Sequence, residues 1–369
     1  MMKQIQIPFG MRDLFPQECA VKSRLEERIS RVYESYGYQK IETPLIEFYS
    51  TYQNTFTSLK EETMYKFVDE SGQILALRTD MTLPIARLCA TKYGNVQGPF
   101  RFSYCANVYK VRQNFAGKRN EVTDCGIELI GLDDGSDLEV LSCALDVMAA
   151  LPVANSTLEI GNSNFFKMAV REAGIGKEDA RQLADLIDAK AMTDVREKLQ
   201  TLPIDGKARA FFEHLPLFNG EDALQEALKY SFTPSLKQEA ERFVKLAEDL
   251  NTLGYQDRFA FDLGKVPHLD YYTGIIFEGF VPGIGTAVLS GGRYDDLLKK
   301  VGRDMPAIGF GVKVDYLLDA VKEETETKRQ LAYPQKCLIE ALQYARVLRK
   351  EGPLELVRDD TIDKPEVRR

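Results

Sequence analysis

The chain has 369 residues, of which 44% are hydrophobic and 28% charged, and this composition is typical of a globular protein with two or three structural units. Its formal net charge of -8 argues against a nucleic-acid partner without excluding one, because proteins that bind phosphates usually present basic surfaces. No apolar run is long enough to span a bilayer, the opening residues lack the apolar segment of a secretory signal, and we therefore expect a cytoplasmic protein.

The first part of the chain alternates helical and strand patterns. Residues 16–36 predict an amphipathic helix, because Val21, Leu25 and Ile29 fall on one stripe together with Val32 and Tyr36. After it we predict strands at residues 41–48, 73–78, 101–110 and 122–130, and a helix at residues 137–151. Strands joined by hairpins and long connections indicate an α+β fold with a mostly antiparallel sheet and helices packed on it.

Residues 161–255 differ in composition, with abundant Ala, Leu, Glu, Asp and Lys and few strand patterns, and they predict a helical insertion. Its clearest helix is at residues 235–253, with Ser235 as the expected N-cap. The elements predicted after it are strands at 259–263, 271–280 and 287–290, a helix at 313–323, a charged linker at 322–330, a helix at 337–350 and a strand at 355–357.

This pattern divides the chain into a main unit and a short C-terminal segment. We expect residues 1–320 to form the main unit, with the helical insertion inside it. Residues 321–369 then form a linker and a small α/β remnant, and the last residues, from Asp359 onward, are expected to be frayed.

The predicted strand at residues 122–130 carries two carboxylates on one face. Asp124, Gly126 and Glu128 point to one side, because side chains alternate along a strand. A solvated sheet face explains this pattern at least as well as a binding site does. The functional hypothesis is a pocket that receives a cation, with Gly126 leaving room for it.

Three further segments carry candidate binding residues, and each has a structural alternative. Asp80 and Thr82 can accept hydrogen bonds from an ammonium group, or can cap a helix. Of the adjacent Tyr271 and Tyr272, one is expected in the core and the other at a pocket. The run Gly-Gly-Arg-Tyr-Asp at residues 291–295 permits a tight turn or the close approach of a ligand.

The cysteines and histidines predict no metal site. The six cysteines are scattered without a Cys-x-x-Cys pair, and the sequence holds only two histidines. Buried free thiols are therefore the expected state of the cysteines, and no cofactor is indicated.

Taken in order, these segments resemble the motifs of histidyl-tRNA synthetases, a class II synthetase family. The resemblance extends over about residues 5–320 and includes the helical insertion. It implies the class II antiparallel sheet flanked by helices. The matching segments are the N-terminal motif at 9–13, motif 1 at 41–47, motif 2 at 100–131, the histidine-specific Leu-Asp-Tyr-Tyr-Thr element at 269–273, and the approach to motif 3 at 291–295 and 306–310.

The sequence departs from this family where the family activates its amino acid. Lys110 stands at the motif 2 arginine that grips the ATP α-phosphate, Pro267 at the arginine before the Leu-Asp-Tyr-Tyr-Thr element, and Tyr316 at the motif 3 arginine. Guanidinium groups stabilise the charge of a phosphoryl transition state, and neither Pro nor Tyr can replace them. The synthetases also carry a sizeable anticodon-binding domain, for which residues 321–369 are too short.

A chain with this core and these losses is similar to the regulatory subunits that partner short-form ATP phosphoribosyltransferases. The resemblance implies a non-catalytic, homodimeric building block that associates with the catalytic subunit and senses free histidine. Asp80 and Thr82 would then hold the α-ammonium, Glu128 would face the imidazole, and Asp124 stands where the family has Gln. The full set of implied histidine-binding residues is Asp80, Thr82, Lys110, Asp124, Glu128, Tyr271, Tyr272 and Tyr294.

Two alternatives stay open. One is a truncated synthetase, or another paralogue, that still activates an amino acid; the substitutions at Lys110, Pro267 and Tyr316 count against it. The other is an RNA-binding adaptor, against which the acidic net charge counts.

Overall fold

The structure is a computed structural model, and it describes residues 6–55, 61–112, 119–133, 135–266, 272–321 and 329–368. The chain divides into two compact units, Met1–Val321 and Lys322–Arg369. No described helix is both long enough and apolar enough to cross a membrane.

The strands of the described residues are β1 Gln39–Lys40, β2 Ile46–Phe48, β3 Lys66–Val68, β4 Ile74–Leu77, β5 Phe100–Tyr109, β6 Glu121–Ile130, β7 Thr157–Asn162, β8 Phe259–Phe261, β9 Ile275–Phe280, β10 Leu289–Arg293, β11 Ala307–Lys313, β12 Arg329–Tyr333, β13 Leu354–Arg358 and β14 Glu366–Arg368. The α-helices are α1 Pro16–Ser35, α2 Tyr49–Thr55, α3 Thr82–Thr91, α4 Ser136–Ala150, α5 Ser163–Glu172, α6 Lys177–Asp188, α7 Met192–Thr201, α8 Gly206–His214, α9 Ala223–Tyr230, α10 Pro234–Thr252, α11 Asp295–Lys300, α12 Val314–Leu317 and α13 Leu338–Leu348.

An eight-stranded sheet is the centre of the first unit, in the order β1-β5-β6-β11-β10-β9-β7-β8. Its neighbours pair antiparallel, except that β1–β5 and β7–β8 are parallel. The predicted α+β fold with a mostly antiparallel sheet is therefore confirmed. Strand β6 lies inside this sheet between β5 and β11, and all of its residues after Glu121 are buried.

Helices α1 and α4 cover one face of the sheet. Helix α1 buries Val21, Leu25, Ile29 and Tyr33, which join the side chains of Cys125, Ile127 and Leu129 on β6 in one apolar cluster. The Tyr33 hydroxyl also donates a hydrogen bond to the Cys125 carbonyl oxygen, 2.9 Å away. Because strand side chains alternate, Asp124, Gly126 and Glu128 project from the opposite face.

The chain between β7 and β8 is helical and contains α5 to α10. The predicted helix at 235–253 is present as α10, but its predicted N-cap at Ser235 is wrong. Pro234 occupies the first helical position, and the Thr233 hydroxyl accepts the capping hydrogen bond from the Leu236 amide at 3.3 Å. The Ser235 hydroxyl instead donates to the Glu172 carboxylate.

Two other predicted elements are shorter than expected. Of the strand predicted at 41–48, only β2 forms, and it pairs with β4 in a separate three-stranded sheet of order β2-β4-β3. The helix predicted at 313–323 is present only as α12. It begins after Lys313, because Lys313 still belongs to β11, and it ends at Leu317. As part of this strand, Lys313 lies on the same face as Gly309 and Gly311.

The second unit is a three-stranded sheet of order β13-β12-β14 with α13 beside it. Strand β12 begins at Arg329, inside the predicted linker, and β14 pairs antiparallel with it. The expectation of a frayed end is therefore wrong for Glu366–Arg368, whose backbone joins the sheet. Apolar contacts between α13 and the sheet close this small core, formed by Leu331, Ala341, Ala345, Leu348 and Leu354.

One cysteine pair departs from the expectation of free thiols. Cys105 and Cys125 lie directly opposite each other in the β5–β6 ladder and form a disulfide. Register brings together two residues that sequence spacing alone did not pair. Free thiols are present at Cys19, Cys89, Cys143 and Cys337.

Helix α1 provides a test of the core. Leu25 is fully buried against the sheet, so Leu25→Ala should lower the free energy of unfolding by about 2–5 kcal/mol through lost burial and the cavity it leaves. Arg31 lies on the exposed side of the same helix, where it forms an exposed ion pair with Glu27, so Arg31→Ala should cost about 0.5 kcal/mol or less. Chemical denaturation followed by circular dichroism measures both, and similar costs for the two variants would contradict this packing.

Candidate functional site

The face of the sheet opposite α1 holds a cavity that opens to solvent, here called the central cavity. Strands β5, β6, β10 and β11 and the start of α3 contribute its walls. Six of the residues predicted from the sequence line it, namely Asp80, Thr82, Asp124, Glu128, Tyr272 and Tyr294. Because Asp124 and Glu128 are only 3% and 2% exposed, the alternative of a solvated sheet face is wrong.

Of the other two predicted residues, Lys110 belongs to the described part of the chain and Tyr271 does not. Lys110 follows the last residue of β5, and its backbone amide donates to the Asn120 carbonyl oxygen at 2.8 Å. It is not among the described residues that line the central cavity. Tyr271 and Pro267 lie outside the described residues.

Glu128 is held by two hydroxyl groups from different elements. The Thr82 hydroxyl donates to Oε1 at 2.8 Å, and the Tyr294 hydroxyl donates to Oε2. Burial raises the pKa of Glu128 to about 8, although both hydrogen bonds act in the opposite direction. A ligand that brings a positive charge or an N–H donor would favour the ionised carboxylate.

Asp124 has a resident cation. Lys313 lies opposite Asp124 in the β6–β11 ladder, and its Nζ donates to Asp124 Oδ2 at 2.5 Å. The other oxygen, Oδ1, is buried and has no hydrogen-bond partner among the described residues. Burial raises the pKa of Asp124, and the nearby charge of Lys313 opposes this effect. The site therefore has a buried acceptor, Asp124 Oδ1, next to the ammonium group of Lys313.

Asp80 fulfils the structural role that was predicted for it and also faces the central cavity. Its Oδ1 accepts from the Leu83 amide at 3.0 Å, which caps the start of α3, and its Oδ2 accepts from the Thr79 hydroxyl at 3.0 Å. The capping role and the pocket position are compatible, because the carboxylate sits where the helix begins.

Glycines make the floor of the central cavity. A Cβ built at Gly309 would lie 1.9 Å from Glu128 Oε2, and one at Gly311 would lie 2.2 Å from Asp124 Oδ1. Both carboxylates therefore occupy space that any larger residue on β11 would fill. At Gly292 the added atom would meet the Tyr272 ring at 2.7 Å, so this ring packs directly over the strand.

Gly126 has a different role from the predicted one. We expected it to leave room for a ligand, but a Cβ there would lie 2.4 Å from the Tyr104 hydroxyl. Tyr104 faces Gly126 across the β5–β6 ladder, and its side chain takes the space that the glycine leaves. The prediction that Gly126 leaves room for a ligand is therefore wrong.

Sequence reasoning missed Tyr104 and Lys313. Alternation within β5 places Tyr104 on the same face as Phe102, but only the strand register shows that this face meets Gly126. Lys313 follows Gly309 and Gly311 at the spacing of one strand face, a signal that the predicted helix at 313–323 concealed. Tyr316, at the family's third arginine position, is partly buried and packs against apolar residues.

A second, larger cavity adjoins the first and shares Tyr272, Ser290 and Gly291 with it. Lys265 lines this neighbouring cavity and forms an ion pair with Glu278. Lys265 is therefore a lysine close to the central cavity that pairs with a carboxylate other than Asp124.

Comparisons with known proteins show the family of the chain. The family model described as histidyl-tRNA synthetase matches residues 10–317. The chain is 35% identical over 357 residues to an ATP phosphoribosyltransferase regulatory subunit of Acetivibrio thermocellus, covering 95% of this chain and 85% of that protein. A protein of the same description from Caldanaerobacter subterraneus is 35% identical over 360 residues, covering 94% and 93%.

Solved structures show the same similarity. A crystal structure described as an ATP phosphoribosyltransferase regulatory subunit/histidyl-tRNA synthetase from Bacillus halodurans C superposes with a TM-score of 0.87 at 30% identity, over 99% of this chain and 95% of that one. A histidyl-tRNA synthetase from Nostoc sp. PCC 7120 shares the fold, with a TM-score of 0.78 at 21% identity over 99% of this chain and 87% of that one.

The raised pKa of Glu128 predicts that stability depends on pH. The folded state holds this proton up to about pH 8, whereas the unfolded carboxyl releases it near its ordinary pKa of 4.5. The contribution of Glu128 is therefore fully present below pH 4.5 and is lost as the pH rises through about 8. Relative to Glu128→Gln, the unfolding free energy of the natural protein should fall by up to about 1.4 kcal/mol per pH unit inside this window.

Urea denaturation at several pH values between 5 and 8.5 measures this difference. Glu139→Gln serves as the matched control, because Glu139 pairs with Arg101 at 2.7 Å outside the central cavity. Its pH profile should follow that of the natural protein. Parallel profiles for the natural protein and Glu128→Gln would show that Glu128 is ionised in the folded state.

Proposed function

Because the chain belongs to the histidyl-tRNA synthetase family and, within it, to the ATP phosphoribosyltransferase regulatory subunits, we propose that it controls that enzyme without catalysing a reaction itself. The proposed partner is the short form of the catalytic subunit, and the proposed signal is free histidine, which inhibits the first step of its own biosynthesis. The central cavity is the proposed histidine site.

The observation that carries this proposal is the environment of Glu128. A buried carboxylate is costly unless a partner satisfies it, and here two hydroxyl groups orient it toward a cavity. An imidazole ring can donate N–H to such a carboxylate, and the hydrogen bond is stronger when the ring is protonated. Asp80 and Asp124 add carboxylate oxygens that suit an α-ammonium group.

The positions that would handle ATP support a non-catalytic role. Tyr316 is packed against apolar residues and carries no positive charge, and Pro267 has no side-chain donor. Lys110 provides one flexible ammonium where a fixed bidentate donor is needed. Stabilisation of a developing charge by oriented donors is usually the largest catalytic contribution, so these residues are poorly suited to form an aminoacyl-adenylate.

A homodimer is the proposed building block. Strand β2 overlaps the end of the motif 1 segment at 41–47, and its small sheet β2-β4-β3 leaves large apolar side chains exposed at Ile46, Phe48, Phe67, Val68 and Ile74. Apolar patches of this kind usually mark contact surfaces. A two-fold dimer would cover the patch and offer each partner surface twice, which suits a symmetric complex with the catalytic subunit.

The proposed control follows from linkage. Histidine can regulate a distant active site only if it binds one state of the complex better than the other. A coupling free energy of about 1–3 kcal/mol is sufficient for useful feedback. By the same linkage, ligands of the catalytic site should change the affinity for histidine by an equal factor.

The first prediction of this proposal concerns chemistry. The purified chain should not catalyse histidine-dependent exchange between pyrophosphate and ATP, because loss of even one oriented donor typically costs about 2.7–4 kcal/mol of transition-state stabilisation. A histidyl-tRNA synthetase assayed in parallel controls for the conditions. Exchange at a comparable rate would favour the alternative of a synthetase that still activates its amino acid.

The second prediction concerns regulation. The catalytic subunit should show little activity alone and more activity with this chain, and histidine should then inhibit it. Glu128→Gln should weaken the inhibition by about 1.5–3 kcal/mol of histidine binding, because a hydrogen bond to a charged group is lost. The assay compares phosphoribosyl transfer at increasing histidine concentrations.

Glu139→Gln is the matched control in this assay and should keep the histidine response of the natural chain. Size-exclusion chromatography of the mixture shows whether the two proteins associate. If they elute separately and the transferase activity is the same with and without this chain, the proposed regulatory role is wrong.

A further inference from the structure

We propose that Lys313 binds the α-carboxylate of the amino-acid ligand while Asp124 Oδ1 accepts its α-ammonium, so that the central cavity selects free amino acids over amines. This inference rests on the proposed histidine site and adds the groups that recognise the backbone end of the ligand.

The first observation is the position of Lys313. It is the one cationic side chain among the described residues that line the central cavity. Its ammonium carries three N–H donors, and Asp124 Oδ2, 2.5 Å away, accepts one of them. The side chain is 26% exposed and lines the central cavity. A carboxylate is the ligand group that these donors would bind most strongly.

The second observation is the buried oxygen of Asp124. The side chain is 3% exposed, and no group in the described part of the chain hydrogen-bonds to its Oδ1. An unsatisfied buried acceptor costs free energy, and a ligand ammonium would remove that cost. Its location over Gly311, on the cavity side of β11, leaves it turned toward the ligand space.

Together, Asp124 and Lys313 present an acceptor and a donor side by side. A free α-amino acid carries its ammonium and its carboxylate on one carbon atom, which is the complementary arrangement. Amines lack the carboxylate, and acids without the amino group lack the ammonium. The pair Asp124–Lys313 therefore recognises both charged groups of the ligand. Glu128, four residues after Asp124 on the same face of β6, is left to bind the side chain of the ligand.

The charge balance of the central cavity supports this assignment. Besides Glu128, the charged side chains that line the central cavity among the described residues are Asp80, Asp124 and Lys313. A zwitterionic ligand leaves this balance unchanged and places each of its charges next to an opposite one. A cation without a carboxylate would instead lie next to Lys313, and the repulsion would weaken its binding.

A competing arrangement gives the opposite expectation. The Lys313 ammonium could occupy the place of the ligand ammonium on Asp124 and so exclude it. Removal of the lysine would then strengthen histidine binding, whereas under our proposal it weakens histidine binding. The two arrangements are therefore separated by the sign of one measured change.

The test is calorimetric titration of the full chain with L-histidine and with histidinol, in which a hydroxymethyl group replaces the carboxylate. For the natural chain we expect histidine to bind at least about tenfold more tightly than histidinol. Lys313→Met should reduce this preference by about 10- to 100-fold, and Lys313→Arg, which keeps the charge, should retain most of it.

Lys265→Met is the control for a general loss of positive charge, because Lys265 lines the neighbouring cavity and pairs with Glu278. It should leave the histidine-to-histidinol preference unchanged. A third ligand, imidazolepropionate, lacks the ammonium, and Asp124→Asn should weaken histidine more than this acid.

Each remaining result overturns the proposal. An unchanged preference in Lys313→Met, or tighter histidine binding by this variant, would show that Lys313 does not bind the carboxylate. Equal affinity of the natural chain for histidine and histidinol would also show that Lys313 does not bind the carboxylate. This result does not depend on whether the variants fold. Binding of neither ligand by the natural chain, alone or with the catalytic subunit, would overturn the proposed histidine site as well.

Discussion

The burial of two carboxylates in the middle of the sheet is the constraint on which the site depends. Asp124 and Glu128 lose their hydration on β6, and the structure must offset that cost with groups from other elements. Thr82 comes from the start of α3, Tyr294 from the residue after β10, and Lys313 from the end of β11. The same contacts therefore fix the positions of these elements and shape the central cavity.

Local sequence patterns predicted most of the fold but not the contacts that complete the site. The amphipathic stripe of α1 and the alternation in β5 and β6 are local, and the structure confirms both. Lys313 is 189 residues from Asp124 in the chain, and the Cys105–Cys125 pair depends on how β5 and β6 are aligned. Strand register is set by packing across the whole sheet, so no local pattern shows which residues will face each other.

Burial was equally hard to predict. Alternating polar residues on a strand are compatible with solvent or with a closed site, and the difference lies in what covers the strand. Here α3 and Tyr294 cover Glu128, while Tyr104 fills the space above Gly126 that we had assigned to a ligand. Motif order along the chain was more informative about the family than any single motif was about its local chemistry, because a family resemblance summarises long-range contacts that one segment does not contain.

The glycine floor also limits how the site could change by mutation. An added Cβ would lie 2.4 Å from the Phe310 Cβ at Gly291, 1.9 Å from Glu128 Oε2 at Gly309 and 2.2 Å from Asp124 Oδ1 at Gly311, so a side chain at any of these positions would collide with a neighbouring group. A single substitution on the floor would therefore displace one of these groups as well as change the size of the cavity. A variant that accepts a larger or smaller ligand has to arise through the walls, at positions such as Thr82 and Tyr272, so the routes open to laboratory redesign are few and can be enumerated.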